Sequence, residues 1–233
     1  MPTSATPTRR DVRWVGLAPD ERRQRRRALL VNAAFDLLGT EGAGGTTVRA
    51  VCQKAELNPR YFYESFSDID ALLVAVYDKV VADFGEAIAA VADGVAVAAE
   101  TSPAAAARVG MEAIVRFVDE DRRRARILYI EALGNEALAR HRLETDRAAV
   151  ISLEERAIDA SGSWPQGERV GRVGAAMLVG GLSEVLRDWI DGRIDVTRDQ
   201  LIDDLAALSL ALGEATEAIA RKRARDVAAT TTR

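Results

Sequence analysis

The chain has 233 residues, of which 48% are hydrophobic and only 5% aromatic, and its formal net charge is −4. This length can bury a core without a disulfide or a metal, and Cys52 has no second cysteine with which to pair. No uninterrupted apolar run of about 18 residues occurs, and no apolar segment follows the N-terminal arginines, so neither a membrane span nor a signal peptide is predicted. We therefore expect a cytoplasmic protein that does not bind membranes.

The charge is unevenly distributed along the chain. Residues 1–66 contain 11 Lys and Arg and 7 Asp and Glu, a balance of +4, whereas the remaining 167 residues contain 21 basic and 29 acidic groups, a balance of −8. A basic first third on an acidic body is typical of a nucleic-acid reader joined to a part that does not contact nucleic acid. Ordinary variation in surface charge explains the same distribution equally well.

The first predicted segments are a basic arm and a helix. Residues 1–18 are rich in Pro, Thr and Arg without a period, which predicts a disordered arm. A helix is predicted from Asp20 to about Gly39, with the cluster Arg22–Arg27 in its first turns. Positive charge at a helix N-terminus opposes the macrodipole, so the cluster either faces a polyanion or is a solvated surface. The glycines expected to end this helix are Gly42, Gly44 and Gly45.

Two short helices joined by a tight turn are predicted over residues 46–66. Thr46 or Thr47 can cap the first of these helices. After the turn, Asn58 is a good N-cap and Pro59 is tolerated in the first helical turn, so the second helix is expected from Pro59 to Phe66. Phe62 and Phe66, four residues apart, face inward, and the outward side carries Arg60, Tyr61, Tyr63 and Glu64. This arrangement is typical of a helix-turn-helix, which lays one helix in the DNA major groove.

Helical patterns continue through the rest of the chain. Residues 67–70, Ser-Asp-Ile-Asp, have the form of a capping box and open a long helix that reaches about Val91. Beyond Gly94, helices are predicted over residues 102–119, 121–133, 135–160, 168–191 and 197–220, with a loop at 161–165. No alternating pattern typical of a strand is found, so the predicted fold class is all-α.

Residues 20–73 resemble the TetR family of bacterial transcriptional regulators. Four motifs carry the resemblance: Thr46-Thr47-Val48, Ala55-Glu56-Leu57-Asn58, Tyr63-Glu64-Ser65-Phe66 and Ile69-Asp70-Ala71-Leu72-Leu73. The family pattern has a glycine where Glu56 stands, so the backbone either avoids positive φ there or tolerates strain. It has a phosphate-binding lysine where Ile69 stands, and we expect the N-terminal arginines to replace that contact.

The resemblance implies a nine-helix subunit with two domains. Residues 1–18 are then the arm, 19–67 a three-helix DNA-binding domain, 68–225 a helical domain for ligand binding and dimerisation, and 226–233 a flexible tail. It also implies a homodimer on a palindromic operator in double-stranded DNA, released by a small-molecule effector. Repression is the expected outcome, with activation by the same fold as the alternative.

Candidate DNA contacts follow from this resemblance and from side-chain chemistry. Arg49 suits a phosphate or a guanine edge, and the first turn of the recognition helix is the part that approaches bases. Tyr63 resembles the family tyrosine that bonds the DNA backbone, and Thr47 presents a helix N-terminus to phosphate. Glu64 either accepts from a cytosine amino group or repels wrong sites. The full set is Thr47, Arg49, Asn58, Pro59, Arg60, Tyr61, Tyr63, Glu64 and Ser65.

The second domain carries two further sets of candidates. The ligand-pocket set is mostly apolar and favours a lipophilic effector: Met111, Ile114, Phe117, Leu128, Tyr129, Met177 and Trp189. The dimer-interface set lies on the wide apolar stripes of the two C-terminal helices: Met177, Gly181, Leu182, Val185, Leu186, Leu205 and Leu208. Ordinary packing within one subunit explains either set as well. His141, the single histidine, is expected at a solvated surface.

Two other function classes were weighed against a regulator. An enzyme, a cofactor and a metal site are not expected, because the chain has one His, one Cys and no Glu-x-x-His pair. It also lacks the GxSxG, P-loop and dinucleotide-binding patterns. A membrane-surface protein would account for the Arg22–Arg27 cluster followed by an apolar stripe. It would leave the capped turn and the outward tyrosines of residues 46–66 unexplained.

Overall fold

The computed structural model describes residues 18–161 and 168–231, and these residues form helices and connecting turns without a strand. The all-α prediction is confirmed for this part of the chain. The helices, in chain order, are α1 (Pro19–Gly45), α2 (Val48–Lys54), α3 (Pro59–Tyr63), α4 (Ile69–Ala89), α5 (Ala92–Thr101), α6 (Pro103–Glu120), α7 (Arg122–Ala125), a π-helical turn (Arg126–Glu131), α8 (Ala132–Gly134), α9 (Glu136–Ser161), α10 (Glu168–Ile190) and α11 (Arg198–Thr231).

The chain divides into two compact units, with the boundary between Val76 and Tyr77 inside α4. The sequence predicts a boundary at residue 67, between the end of α3 at Tyr63 and the start of α4 at Ile69. The predicted arm lies outside the described residues except for Ala18, and most of the predicted loop at 161–165 lies outside them as well. None of the described helices is long and apolar enough to cross a bilayer.

In the first unit, α1 is longer than predicted. It begins at Pro19, where the Glu21 carboxylate accepts a hydrogen bond from the Ala18 N–H at 2.8 Å. It passes Gly39 and kinks at Gly42, whose φ of 78° is left-handed and suits glycine. The predicted break is therefore at Gly42, while Gly44 and Gly45 belong to a last helical turn beyond the kink.

The start of α4 differs from the predicted capping box. The helix begins at Ile69, and the residue that caps it is Asp68, whose carboxylate accepts from the Ala71 N–H at 2.8 Å. Ser67, the predicted cap, instead donates its hydroxyl to Asp68 at 3.0 Å. The bond from Ala71, followed by that from Ser67, holds the pKa of Asp68 below its usual value. Asp68 rather than Ser67 is the N-cap, because a carboxylate is a stronger hydrogen-bond acceptor than a hydroxyl.

In the second unit, two stretches differ from the predicted helices. No helix was assigned between Val91 and residue 102, but α5 lies there, and its Gly94 packs near Val109 of α6. The predicted helix over 121–133 contains the π-helical turn. In that turn, residues five apart become neighbours, and Arg126 Nε lies 2.8 Å from Glu131 Oε1.

The last helix, α11, runs to Thr231 and so includes most of the segment predicted as a flexible tail. Residues 221–229 are exposed throughout, so packing does not explain the helix there. Its support is local: alanine, arginine and lysine are good helix formers, and Arg221 pairs with Glu217 one turn earlier. The predicted end of this helix, at about residue 220, is therefore too early, while the flexibility predicted for residues 226–233 stays a prediction.

Candidate nucleic-acid interface

The two threonines before α2 have different roles. Thr47 is exposed, and its hydroxyl oxygen accepts from the Ala50 N–H at 3.2 Å, so it is the N-cap. Thr46 is buried and donates its hydroxyl to the Gly42 carbonyl at 2.8 Å, which ties the kink of α1 to the start of α2. Arg49 lies in the first turn of α2 and is exposed.

The second helix of the pair begins as predicted. Asn58 Oδ1 accepts from the Arg60 N–H at 2.9 Å, and Pro59 occupies the first helical position. α3 ends at Tyr63 rather than at Phe66, although the Phe66 N–H still bonds the Phe62 carbonyl at 2.9 Å. The rings of Phe62 and Phe66 are buried 5.8 Å apart, so one side of this segment packs into the core of the first unit.

The turn between α2 and α3 contains a strained residue. Glu56 has a φ of 55°, and it is the one non-glycine residue with positive φ among those that the structure describes. The Leu57 N–H bonds the Cys52 carbonyl at 2.9 Å, which closes the turn around it. The sequence left open whether the backbone at Glu56 avoids positive φ or tolerates strain. The structure shows that it tolerates strain.

The side of α3 opposite the phenylalanines is open. The Arg60 side chain is 82% exposed and Tyr63 is 63% exposed, with the Tyr63 ring edge-on to Phe62 at 5.2 Å. Asn58 and Pro59 are exposed, and the candidates that are half-buried are Tyr61, Glu64 and Ser65. The exposed group combines a guanidinium, a phenol and an amide, which are the donors that contact DNA phosphates and base edges.

Three arginines of α1 contact the α3 segment (α3 and the turn after it, residues 59–66), which the sequence did not reveal. Arg23 donates to the Glu64 carbonyl at 2.7 Å. Arg26 donates to the Glu64 carboxylate at 3.3 Å, and its guanidinium lies 4.4 Å from the centre of the Tyr61 ring. Arg27 stacks over Phe66 at 4.9 Å. The cluster therefore stabilises the α3 segment. The two roles expected for it, facing a polyanion or forming a solvated surface, did not include this one. No local spacing indicates contacts between residues about forty positions apart.

The candidate pocket residues of the second unit do not share one environment. Phe117 and Leu128 are buried, and Met177 is 61% exposed; the half-buried members are Met111, Ile114, Tyr129 and Trp189. A cleft of about 480 Å³ is lined by one of the seven, Phe117, over which Arg124 stacks at 4.4 Å. The charged residues that line this cleft are Asp83, Glu86, Arg116, Glu120 and Arg124.

A polar cluster lies elsewhere in the second unit. His141 was expected to be solvated, but its Nε2 lies 2.5 Å from Asp78 Oδ1 and its ring is edge-on to Tyr77. Burial raises the pKa of Tyr77 to about 12. Burial also raises the pKa of the Tyr129 hydroxyl well above its usual value. Arg142 joins the cluster, with its Nε 3.5 Å from Asp146.

The candidate dimer residues divide into exposed and buried members. Met177, Gly181 and Leu208 are exposed, and Val173, which the sequence reasoning had not included, is exposed on the same helix as Met177. Leu182 and Val185 are half-buried. Leu186 and Leu205 are buried within the subunit, so they belong to its core rather than to a free surface. Gly174 of α10 is buried against Thr216 of α11.

Comparison with known proteins bears on the first unit most directly. Residues 30–76 match the family model described as "Bacterial regulatory proteins, tetR family". That match runs from α1 into α4 and so includes each candidate DNA contact. No curated protein matches the chain. Among the described residues, no group of three or more His, Cys, Asp or Glu side chains is arranged to hold a metal ion.

Solved structures share the fold over most of the chain. The fatty acid degradation regulator FadR from Bacillus halodurans is 17% identical with a TM-score of 0.63, over 79% of this chain and 94% of that chain. A TetR-like transcriptional regulator from Rhodococcus sp. RHA1 is 23% identical with a TM-score of 0.55, over 80% and 96%. AibR, solved in complex with isovaleryl coenzyme A and operator DNA, is 18% identical with a TM-score of 0.54, over 78% and 97%.

Proposed function

We propose that this chain, whose residues 30–76 match the family model "Bacterial regulatory proteins, tetR family", is a transcriptional repressor of that family. In this proposal it binds a palindromic operator as a homodimer and leaves the DNA when a small molecule binds its second unit. A dimer seated on a promoter excludes RNA polymerase, which is why repression is proposed rather than activation.

The observation that carries DNA binding is the division of the α3 segment into two sides. Phe62 and Phe66 are buried, whereas Arg60 and Tyr63 are largely exposed. The exposed phenol hydroxyl of Tyr63 can donate a hydrogen bond to a phosphate oxygen of the DNA backbone. Arg49 and Arg60 have the side chain best suited to a guanine edge.

Dimerisation is supported by exposed apolar side chains on α10 and α11. Val173, Met177 and Gly181 recur every four residues along α10, so they lie on one face of that helix. On α11, Leu208 is 68% exposed. Two-fold association would cover both faces, because an isologous interface uses the same surface on each subunit. The two helix-turn-helix units of such a dimer would then bind the two half-sites of a palindrome.

An effector site in the second unit is supported by the cleft lined by Phe117. Its volume lies in the range that small-molecule sites occupy, and AibR has been solved with isovaleryl coenzyme A. The cleft is lined by three carboxylates and two guanidinium groups, which favours a polar or charged effector over a lipophilic one. Release from DNA requires about 1 to 3 kcal/mol of coupling between the two sites.

Fluorescence anisotropy tests the proposal on labelled DNA taken from upstream of the gene. It is run near physiological salt with excess unlabelled competitor, since affinity for DNA depends steeply on salt. Binding that survives competition at two subunits per duplex is the expected result, and isovaleryl coenzyme A is the first effector to add. Binding that the competitor abolishes, on this DNA and on sequences selected from a random pool, would contradict the proposal.

A further inference from the structure

Glu64 lies at the centre of an ion-pair network that links α1 to α3. Its Oε1 accepts from Arg60 Nε at 3.1 Å, on the same segment one turn away. Its Oε2 accepts from Arg26 Nη2 at 3.3 Å, across the contact between α1 and α3. Each carboxylate oxygen therefore has an arginine of its own.

The two arginines differ in their freedom to move. The Arg26 side chain is 16% exposed, and its guanidinium is also held over the Tyr61 ring at 4.4 Å. The Glu64 main-chain carbonyl accepts from Arg23 at 2.7 Å, which fixes the backbone at the end of α3. Glu64 is thus anchored from α1 on two sides, while Arg60 is largely solvated.

The atom through which Arg60 is bound decides what the rest of its guanidinium can do. Arg60 uses Nε for Glu64, and the two terminal nitrogens, Nη1 and Nη2, extend beyond that bond. A bidentate contact to guanine O6 and N7 uses two N–H donors on one edge of the planar group. A carboxylate that fixes the plane from Nε lowers the entropy that Arg60 loses when it binds a base.

We propose that Glu64 is a positioning residue for DNA reading: anchored by Arg26, it orients Arg60 so that the guanidinium presents its terminal nitrogens to a guanine. This inference rests on the proposed function and adds the base that α3 reads. Glu64 then contacts Arg60 rather than a cytosine. Tyr61 acts as the platform under Arg26 and does not read a base.

The direction in which removal of the Glu64 carboxylate changes DNA affinity distinguishes a positioning role from a direct contact with DNA. A carboxylate near the DNA backbone repels phosphates, so it weakens binding to every sequence. By orienting Arg60, the same carboxylate strengthens binding where a guanine is present. Its removal should therefore tighten non-specific binding while weakening operator binding, which a residue needed only for folding would not do.

The experiment compares Glu64→Ala, Arg60→Ala and the double variant with the unchanged chain. Each is measured on a selected operator duplex, on a scrambled duplex, and on operator duplexes with each base pair changed in turn. We expect Glu64→Ala to lower the ratio of operator to scrambled affinity about tenfold, the size of one bidentate contact. We also expect Glu64→Ala and Arg60→Ala to lose preference for the same guanine.

The double variant tests whether Glu64 acts through Arg60. In the Arg60→Ala background, Glu64→Ala should change operator and scrambled affinity by the same factor, which leaves their ratio unaltered. Arg26→Gln should lower the ratio in the unchanged background. Arg25→Gln, the same charge change at an exposed neighbouring position of α1, should not. Thermal melting followed by circular dichroism verifies that each variant is folded.

Three results would overturn the inference while leaving the proposed function intact. They are an unchanged affinity ratio in Glu64→Ala, a retained guanine preference in that variant, and an equal ratio change with and without Arg60. If the unchanged chain itself shows no preference for any duplex over the scrambled one, the proposed function fails instead.

Discussion

Gly174 of α10 lies so close to Thr216 of α11 that a Cβ built on the glycine would be 2.7 Å from the threonine Oγ1. Thr216 is buried, and its hydroxyl donates to the Leu212 carbonyl at 2.7 Å, so it is held in place. The contact lies within one chain, and α10 and α11 approach each other there without an intervening side chain.

Gly174→Ala should therefore destabilise the protein. Overpacking costs about 1 to 3 kcal/mol, and the gain in helix propensity from alanine offsets up to about 1 kcal/mol of it. Gly85→Ala is the control, since Gly85 lies inside α4 with open space around it and should gain stability. Urea unfolding followed by circular dichroism measures both. Equal stabilisation of both variants would show that the α10–α11 contact yields without cost.

Glu56→Gly should stabilise the turn between α2 and α3. A φ of 55° costs a residue with a Cβ about 1 to 2 kcal/mol, and glycine removes this cost. The greater conformational freedom of glycine in the unfolded chain offsets part of the resulting stabilisation. Gln53→Gly, at an exposed helical position of α2, should instead lose about 1 kcal/mol. Thermal melting compares the two, and a fall in melting temperature for Glu56→Gly would contradict the strain at this residue.

Asn58 offers a way to separate stability from DNA binding. Asn58→Ala removes the N-cap of α3 and should cost about 1 kcal/mol of stability. Asn58→Asp keeps a capping oxygen, so its melting temperature should stay near that of the unchanged chain. The added negative charge should nevertheless weaken DNA binding, which anisotropy measures. If Asn58→Asp bound DNA with unchanged affinity, the start of α3 would not lie near phosphates.

Arg49→Ala and Tyr63→Phe should both weaken binding to the proposed operator while the helical content and the proposed dimer remain intact. If Arg49 contacts a phosphate, its loss reduces the slope of log affinity against log salt by about 1, whereas Tyr63→Phe leaves the slope nearly unchanged. Lys222→Ala, an equal charge change on exposed α11, serves as the control. Unchanged operator affinity in both test variants would refute the assignment of α2 and α3 as the reading helices.

The protein should lose stability at alkaline pH through Tyr77. Burial raises its pKa in the folded state from 10.0 to about 12, so the unfolded chain releases this proton first. The contribution of Tyr77 to the free energy of unfolding is fully present below pH 10.0 and is lost as the pH rises toward 12. Tyr77→Phe should flatten the pH dependence of the unfolding free energy in that window. An identical slope in the variant would mean that Tyr77 ionises normally in the folded state.

Features with short sequence separation were predicted well. Asn58 and Pro59 mark the start of α3 because a cap and a missing N–H act within one helical turn. Phe62 and Phe66 were correctly placed in the core because residues four apart share a helix face. The cap of α4 was misplaced by one residue, because Ser67 and Asp68 can both accept from the next turn.

Periodicity and capping, which are local properties of the chain, were enough to predict the all-α class and the helix-turn-helix with its inward and outward sides. Tertiary structure alone decided that Arg26 meets Glu64, that Gly174 packs on Thr216, and that Glu56 adopts a positive φ. The first two are contacts between distant residues, and they depend on how the folded helices meet. Packing free energy summed over the whole unit selects them, and no pattern within one helix encodes that sum.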